Sequence, residues 1–228
     1  MIDFHTHILP GMDDGSRSVS ESIAMLQLEA QLGMDTVFLT PHYYAEENSP
    51  AVFLKRQENA LRQLIPHLCR QLPKLYVGAE VQYFDSICAV EDVQYLRIVG
   101  TPYLLLEMPF FRWTNHMVND VLELNDRPDT QVVLAHIDRY MEYQNPEVWQ
   151  TLRSRGVLMQ ANVSFFANWK TRQRAISMLK QGEIHMLGSD CHNMESRRPN
   201  WDMLPEKAWA LAQNSIFEEA FRSAEMKL

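Results

Sequence analysis

Short apolar runs alternate along the chain with longer stretches in which apolar residues return every three or four positions. The short runs span residues 2–5, 36–40, 75–79, 103–107, 131–135, 157–161 and 184–188. Their length and apolar continuity suit buried strands. The longer stretches predict helices: one from Ser18, one over 51–71 kinked near Pro66, and one over 115–125. Others run from Pro146 to Gly156, over 171–181, and along the tail from Pro205. Ser18 and Glu21 have the spacing of a capping box. Val19, Ile23, Leu26 and Ala30 then line one face, and Gly33 is a good stop. Alternating strands and helices imply parallel strands joined by helical crossovers. The period alone does not separate a doubly wound sheet from a closed barrel.

The polar residues that follow each strand do separate them. The first strand runs into His5 and His7, with Asp14 in the loop beyond. The second leads to His42, the third to Glu80, the fourth to Glu107, the fifth to His136 and the sixth to Asn162. The seventh leads to Asp190 and His192. In a barrel, strand C-termini converge on one face, so these side chains would meet. A doubly wound sheet would scatter them along a line. The pattern therefore predicts an α/β barrel.

Five imidazoles and four carboxylates exceed what one ion needs, since catalytic metals take three or four protein ligands. Two or three ions are implied, with at least one bridging carboxylate. Mixed imidazole and carboxylate ligation suits manganese, iron or zinc. Alternation places His5 and His7 on one side of an extended segment. Asp13-Asp14-Gly15 is also an ordinary turn signal. Glu80 and Glu107 follow apolar strands, where an unpaired carboxylate is costly. His67, His116 and His185 fall outside the pattern and receive no role.

Composition narrows the classes. A chain of 228 residues that is 46% hydrophobic and 10% aromatic is not disordered. No apolar run approaches the ~18 residues of a membrane span, so direct membrane insertion is not expected. With no linker-like stretch, residues 1–228 read as one domain. With 21 basic against 29 acidic residues, the net charge of -8 argues against nucleic-acid partners. Three cysteines make no disulfide framework, and with no visible leader a cytoplasmic setting is expected. Self-association into a homo-oligomer stays open.

Two further features bear on chemistry. Aromatics follow the candidate ligands: Tyr43 and Tyr44, Tyr83 and Phe84, Phe110, Phe111 and Trp113, Phe165 and Phe166. They suit a rim that stacks on a phenyl ring, or the packing of loops over the barrel. Cys191 and Arg197 have the Cys-x5-Arg spacing of cysteine-dependent phosphatases. The intervening loop lacks glycine and holds Glu195, which opposes an anion-binding nest and a reactive thiolate.

Taken together, several stretches resemble the polymerase and histidinol phosphatase (PHP) superfamily. They are Met1 through Gly11, Asp13-Asp14-Gly15, Thr40-Pro41-His42, Gly78-Ala79-Glu80, Leu106-Glu107-Met108-Pro109, Ala135 through Tyr140, and Ser189 through Asn193. More closely, they are similar to the manganese-dependent protein tyrosine phosphatases of bacterial capsule and exopolysaccharide operons. The resemblance implies a distorted (β/α)7 TIM-like barrel with three divalent ions, Mn2+ before Fe or Zn. One ion would take His5, His7, Glu80 and Asp190. The second would take Glu80, Glu107 and His136, and the third Asp14, His42 and His192. It also implies two phosphate-clamping arginines, Arg139 and Arg197, with Arg198 a competitor that only spacing disfavours. The implied substrate is the phosphotyrosine tail of a bacterial tyrosine autokinase. The alternatives are another PHP phosphoesterase such as histidinol phosphatase, a nuclease, or a catalytically silent partner of the kinase. One departure stands out: after Asn162 the family often has a small glycine-containing loop, replaced here by a bulky segment from Val163 to Trp169.

Overall fold

A computed structural model describes residues 1–213. Each expected strand is extended: β1 (Ile2–Thr6), β2 (Thr36–Leu39), β4 (Lys74–Val77), β6 (Tyr103–Glu107), β7 (Gln131–Leu134), β8 (Leu158–Asn162) and β9 (Met186–Gly188). Two short strands are additional, β3 (His42–Tyr43) and β5 (Glu80–Gln82). They exist because the second and third strands break partway. Pro41 has no N–H to give a ladder. At Gly78 the backbone passes so close to Ile98 that an added Cβ would lie 2.6 Å from its Cγ1. Below the breaks the order is β1-β2-β4, and above them β3-β5-β6-β7-β8-β9. All paired strands are parallel.

The circuit closes just beyond β9. The Asp190 N–H donates to the His5 carbonyl and the His7 N–H to that of Cys191, both at 2.9 Å. Counting each broken strand once gives seven positions around a distorted parallel barrel. Glu80 thus opens β5 rather than trailing the third strand, and His42 opens β3.

The helices are α1 (Val19–Gln31), α2 (Pro50–Leu64), α3 (Asn115–Asn125), α4 (Pro146–Ser154), α5 (Val163–Ala167), α6 (Arg172–Lys180) and α7 (Glu206–Gln213). Ser18 Oγ accepts the Glu21 N–H at 3.2 Å. The Glu21 carboxylate reaches the Arg17 N–H instead of that of Ser18, so the capping box is offset by one residue. α2 ends earlier than its period predicts. At Pro66 the missing donor tightens the chain into a 3-10 turn over Ile65–His67. Between β5 and β6 the crossover holds only 3-10 turns. α5 occupies the segment read as a loop after Asn162. The predicted tail helix is present to Gln213, and the rest lies outside the described residues.

Two apolar layers support this circuit. The larger fills the space between strands and helices. The smaller plugs the lumen with Ile2, Phe4, Phe38, Leu105, Val133 and Met186, among others. Phe4 meets Phe38 edge to face at 4.8 Å. The strand period of two then carries the same inward faces upward into polar residues. On β6, Leu105 gives way to Glu107, and on β8, Leu158 gives way to Gln160 and Asn162.

β9 can approach β1 only because residue 188 has no side chain. A Cβ there would lie 2.6 Å from His5 Cβ and 2.9 Å from Gln160 Nε2. Gly188→Ala is expected to cost about 1–3 kcal/mol of stability through overpacking. Chemical denaturation measures this, and an unchanged midpoint would refute the close approach.

Candidate metal centre

Local backbone features aim the polar side chains at one mouth of the barrel. The register of β1 against β2 slips between Asp3 and Thr6, a bulge. Phe4 packs into the lumen while the next residue, His5, also turns inward to meet Gln160 and Glu80. His136 and Asp190 lie two residues beyond β7 and β9 with left-handed backbones, φ 30° and 53°. Such conformations cost non-glycine residues of order 1–3 kcal/mol, and they collect at functional sites.

Glu80, wholly buried, sits at the centre. Its Oε2 lies 3.1 Å from His5 Nε2, 3.3 Å from His7 Nε2 and 2.9 Å from His42 Nδ1. Its Oε1 lies 2.9 Å from His136 Nε2, which is also 3.2 Å from Glu107 Oε1. Asp190 Oδ1 is 3.8 Å from His5 Nε2 and 3.5 Å from His7 Nε2. Asp14, the one exposed member, is 3.3 Å from His192 Nε2 and 3.7 Å from His42 Nε2. All nine residues singled out from the sequence therefore meet.

The surrounding hydrogen bonds decide what these atoms can do. The oxygen of Gln160 accepts the His136 backbone N–H at 2.6 Å, and a backbone N–H can only donate. The same oxygen is 3.2 Å from His5 Nδ1, so that nitrogen carries the proton and His5 Nε2 is left with a lone pair. Asp13 Oδ2 accepts from the His42 N–H at 2.8 Å and from His7 Nδ1 at 2.7 Å. The Nε2 of neutral His7 is likewise bare. These two Nε2 atoms face each other at 3.1 Å. Lone pairs so close repel unless positive charge lies between them. Metal bonds of about 2.1 Å at right angles place ligand atoms ~3 Å apart.

Other donor atoms point the same way. Glu80 Oε2, His42 Nδ1 and His192 Nε2 are buried without a hydrogen-bond partner. Glu80 Oε2 and His42 Nδ1 are close, yet not aligned to share a proton. Among the described residues, ligand atoms within 4.8 Å of one another form three groups: His5, His7 and Asp190; His7, Asp14, His42 and His192; and His42, Glu80 and Glu107. These overlap the three sets implied by resemblance, but here His42 also joins Glu80, and His7 also joins Asp14 and His192.

With protons as the only available cations, the cluster holds them tightly. Burial opposes charge on His7, but the neighbouring carboxylates of Asp13 and Glu80 prevail and lift it to about 10. Burial likewise opposes charge on His136, yet Glu107 and Glu80 raise it to about 9. The Glu80 carboxyl stays well below its usual range despite burial, drawn down by His5 and its other imidazole neighbours. This donor set fits divalent cations.

Two arginines border the mouth. Arg139 Nη2 pairs with Asp190 Oδ2. Arg197 Nη2 lies 3.0 Å from Asp190 Oδ1, and its Nη1 lies 3.6 Å from Asp14 Oδ2. Arg198 turns away to Asp202 at 2.7 Å. Adjacent in sequence, Arg197 and Arg198 thus face different surroundings.

Several expectations change. Tyr43, Tyr83, Trp113, Phe165 and Phe166 are buried in the core and are not rim residues. Cys191 is also fully buried, and burial beside Glu29 and Asp3 raises its thiol well above the usual range. The amides of His192 and Asn193 are spent on the Arg197 carbonyl, and those of Glu195 and Arg197 on Asn193 Oδ1. The Cys-x5-Arg loop therefore offers no anion nest. His67 and His116 are exposed, and His185 Nδ1 accepts the Met159 N–H at 3.1 Å.

Sequence reasoning missed the supports, Asp13 and Gln160. Asp13 was hidden inside a turn signal. Its carboxyl is held down to about 2: burial opposes this, but the His7 hydrogen bond and charge outweigh it. The signal for Gln160 was a polar residue in the middle of an apolar strand. Its Nε2 donates to Asn162 Oδ1 at 3.1 Å, and Asn162 Nδ2 donates to Asp190 Oδ2 at 3.0 Å.

Known proteins resemble this chain in sequence and in fold. Tyrosine-protein phosphatase YwqE of Bacillus subtilis is 29% identical over 211 residues, 86% of this chain and 79% of YwqE. Tyrosine-protein phosphatase CpsB of Streptococcus pneumoniae is 28% identical over 240 residues, 95% of each chain. A chain from the crystal structures of YwqE and CpsB, described as unique metal-dependent tyrosine phosphatases, superposes with a TM-score of 0.77. It shares 23% identity and covers 99% of this chain and 93% of that one, a likeness of fold. The family model for capsular polysaccharide synthesis, CpsB/CapC, matches residues 1–221, and this chain belongs to that family.

Proposed function

We propose that the cluster binds three divalent ions, manganese in the native protein, and that the protein hydrolyses phosphotyrosine. The observation that carries this reading is the 3.1 Å approach of His5 Nε2 and His7 Nε2 beside Glu80, with the other nitrogen of each ring taken up by Gln160 or Asp13. His5, His7, Glu80 and Asp190 would hold one ion. Glu80, Glu107 and His136 would hold the second, and Asp14, His42 and His192 the third. Bound there, the ions supply Lewis-acid activation of water and of phosphoryl oxygens.

The chain's own residues do the rest. Each guanidinium has five N–H donors, and Arg139 and Arg197 spend only some of them on Asp190 and Asp14. The remainder clamp phosphoryl oxygens through charge-assisted bonds. Asp13 and Gln160 hold the His7 and His5 rings in the tautomer that presents Nε2. The phenolate of tyrosine leaves readily, since phenol has a pKa of about 10, and a dedicated general acid is not required.

Family membership and the names of the relatives point to a tyrosine phosphatase in capsular polysaccharide synthesis. The substrate on this reading is the phosphotyrosine tail of a capsule-regulating tyrosine kinase in the cytoplasm. No helix among the described residues is long and apolar enough to cross a membrane.

Chelation is expected to abolish hydrolysis of para-nitrophenyl phosphate and manganese to restore it, while iodoacetamide leaves the rate intact. Thiol-sensitive, chelator-resistant turnover would overturn the assignment. The manganese-loaded protein should cleave a phosphotyrosine peptide well above a matched phosphoserine peptide or histidinol phosphate, and His136→Ala should abolish this with the fold retained by circular dichroism. Equal rates on both peptides would exclude the substrate. Gln160→Leu and Asp13→Asn should each weaken manganese binding by about 10–100-fold, as losses of ligand support do. Calorimetric titration decides this, and wild-type affinity in both would remove their proposed role.

A further inference from the structure

The fold buries most aromatics that follow the proposed ligands, but Tyr44 and Phe110 stay at the mouth. Tyr44 follows β3, is half-buried, and lies over His42 with ring centroids 5.2 Å apart and planes 23° apart. Phe110 follows β6, is 48% exposed, and lies over His136 at 5.9 Å and 24°. His42 and His136 touch the two different oxygens of Glu80, each at 2.9 Å. The two rings therefore stand on the two imidazoles that flank the central carboxylate.

Both rings are held in place. Phe110 also stacks on buried Tyr140 at 5.5 Å. Its loop is tied down by Gln144, whose Oε1 accepts the Trp113 N–H at 2.9 Å and whose Nε2 donates to the Phe111 carbonyl at 2.8 Å. The Trp113 indole N–H closes the loop onto the Pro109 carbonyl at 2.9 Å. The Tyr44 carbonyl accepts from the Glu47 and Asn48 amides at 3.1 and 3.2 Å. A fixed aromatic face left in water is a ready binding surface, because little further ordering is needed when a ligand covers it.

We infer that Tyr44 and Phe110 are the two walls of an aryl subsite, which seats the phenyl ring of an aryl phosphate and sets the preference for aryl over alkyl esters. This rests on the phosphatase reading above. The walls determine specificity; neither ring is assigned to the reacting atoms. Stacked or edge-on contacts reward an aromatic leaving group and give a serine ester nothing comparable.

Binding of phenylphosphonate and methylphosphonate to the manganese-loaded protein, measured by calorimetry, tests the walls without turnover. The phenyl-to-methyl affinity ratio should fall about tenfold in Tyr44→Ala and in Phe110→Ala. It should stay within about twofold of wild type in Tyr44→Phe and Phe110→Tyr, which keep the rings. Phe111→Ala, a change at another exposed ring, should leave the ratio alone. An unmoved ratio in both alanine variants, or equal binding of the two phosphonates by wild type, overturns the inference. Failure of the phosphatase reading would show separately, as absent turnover of the phosphotyrosine peptide by wild type.

Discussion

One buried carboxylate organises this protein. Glu80 is surrounded by the imidazoles of His5, His7, His42 and His136, and no arrangement of hydrogen bonds satisfies all of them at once. Gln160 and Asp13 use the outer nitrogens of His5 and His7, leaving the inner ones bare and face to face. Only positive charge among them relieves the repulsion. Protons serve in part: the carboxylates of Asp13, Glu80 and Glu107 hold them on His7 and His136 far above the ordinary histidine range, against the opposing effect of burial. Divalent cations serve better, because one ion accepts several lone pairs and a proton only one or two.

The barrel exists around that constraint. Its closure brings β9 against β1 at Gly188, and the same contact sets His5 beside Asp190. The bulge in β1 turns two neighbouring residues inward, one into the apolar plug and one into the polar mouth. Breaks at Pro41 and at Gly78 let the second and third strands restart as β3 and β5, with His42 and Glu80 as their first residues. Strain at His136 and Asp190 is tolerated because packing and hydrogen bonds determine those positions from several sides. The wall after Asn162 is a short helix, α5, with Phe165 and Phe166 buried.

Much of this was legible in the residues alone. A strand period of two and a helix period of 3.6 are local properties, so the seven strand positions and most helix bounds could be read directly. The polar residue after each strand named the members of the cluster, because strand ends in a parallel barrel share one face. Less was legible where the outcome depended on distant neighbours. Asp13 looked like a turn residue, and only the fold brings it to His7 and His42. Tyr43 and Tyr44 are adjacent and chemically alike, yet one packs in the core and the other lies over His42.

By itself, the amino-acid order determined the seven strand positions, most of the helices, the barrel and the identity of nine chemically capable side chains, since these follow from periodicity and residue chemistry. The tertiary structure alone decided which imidazole nitrogen is bare, which of Arg197 and Arg198 faces the mouth, and which aromatics stay in solvent. Those outcomes turn on contacts between residues far apart in the chain, such as His5 with Gln160 and Arg197 with Asp14. No local pattern encodes them, because hydrogen-bond direction and burial are properties of the assembled surroundings.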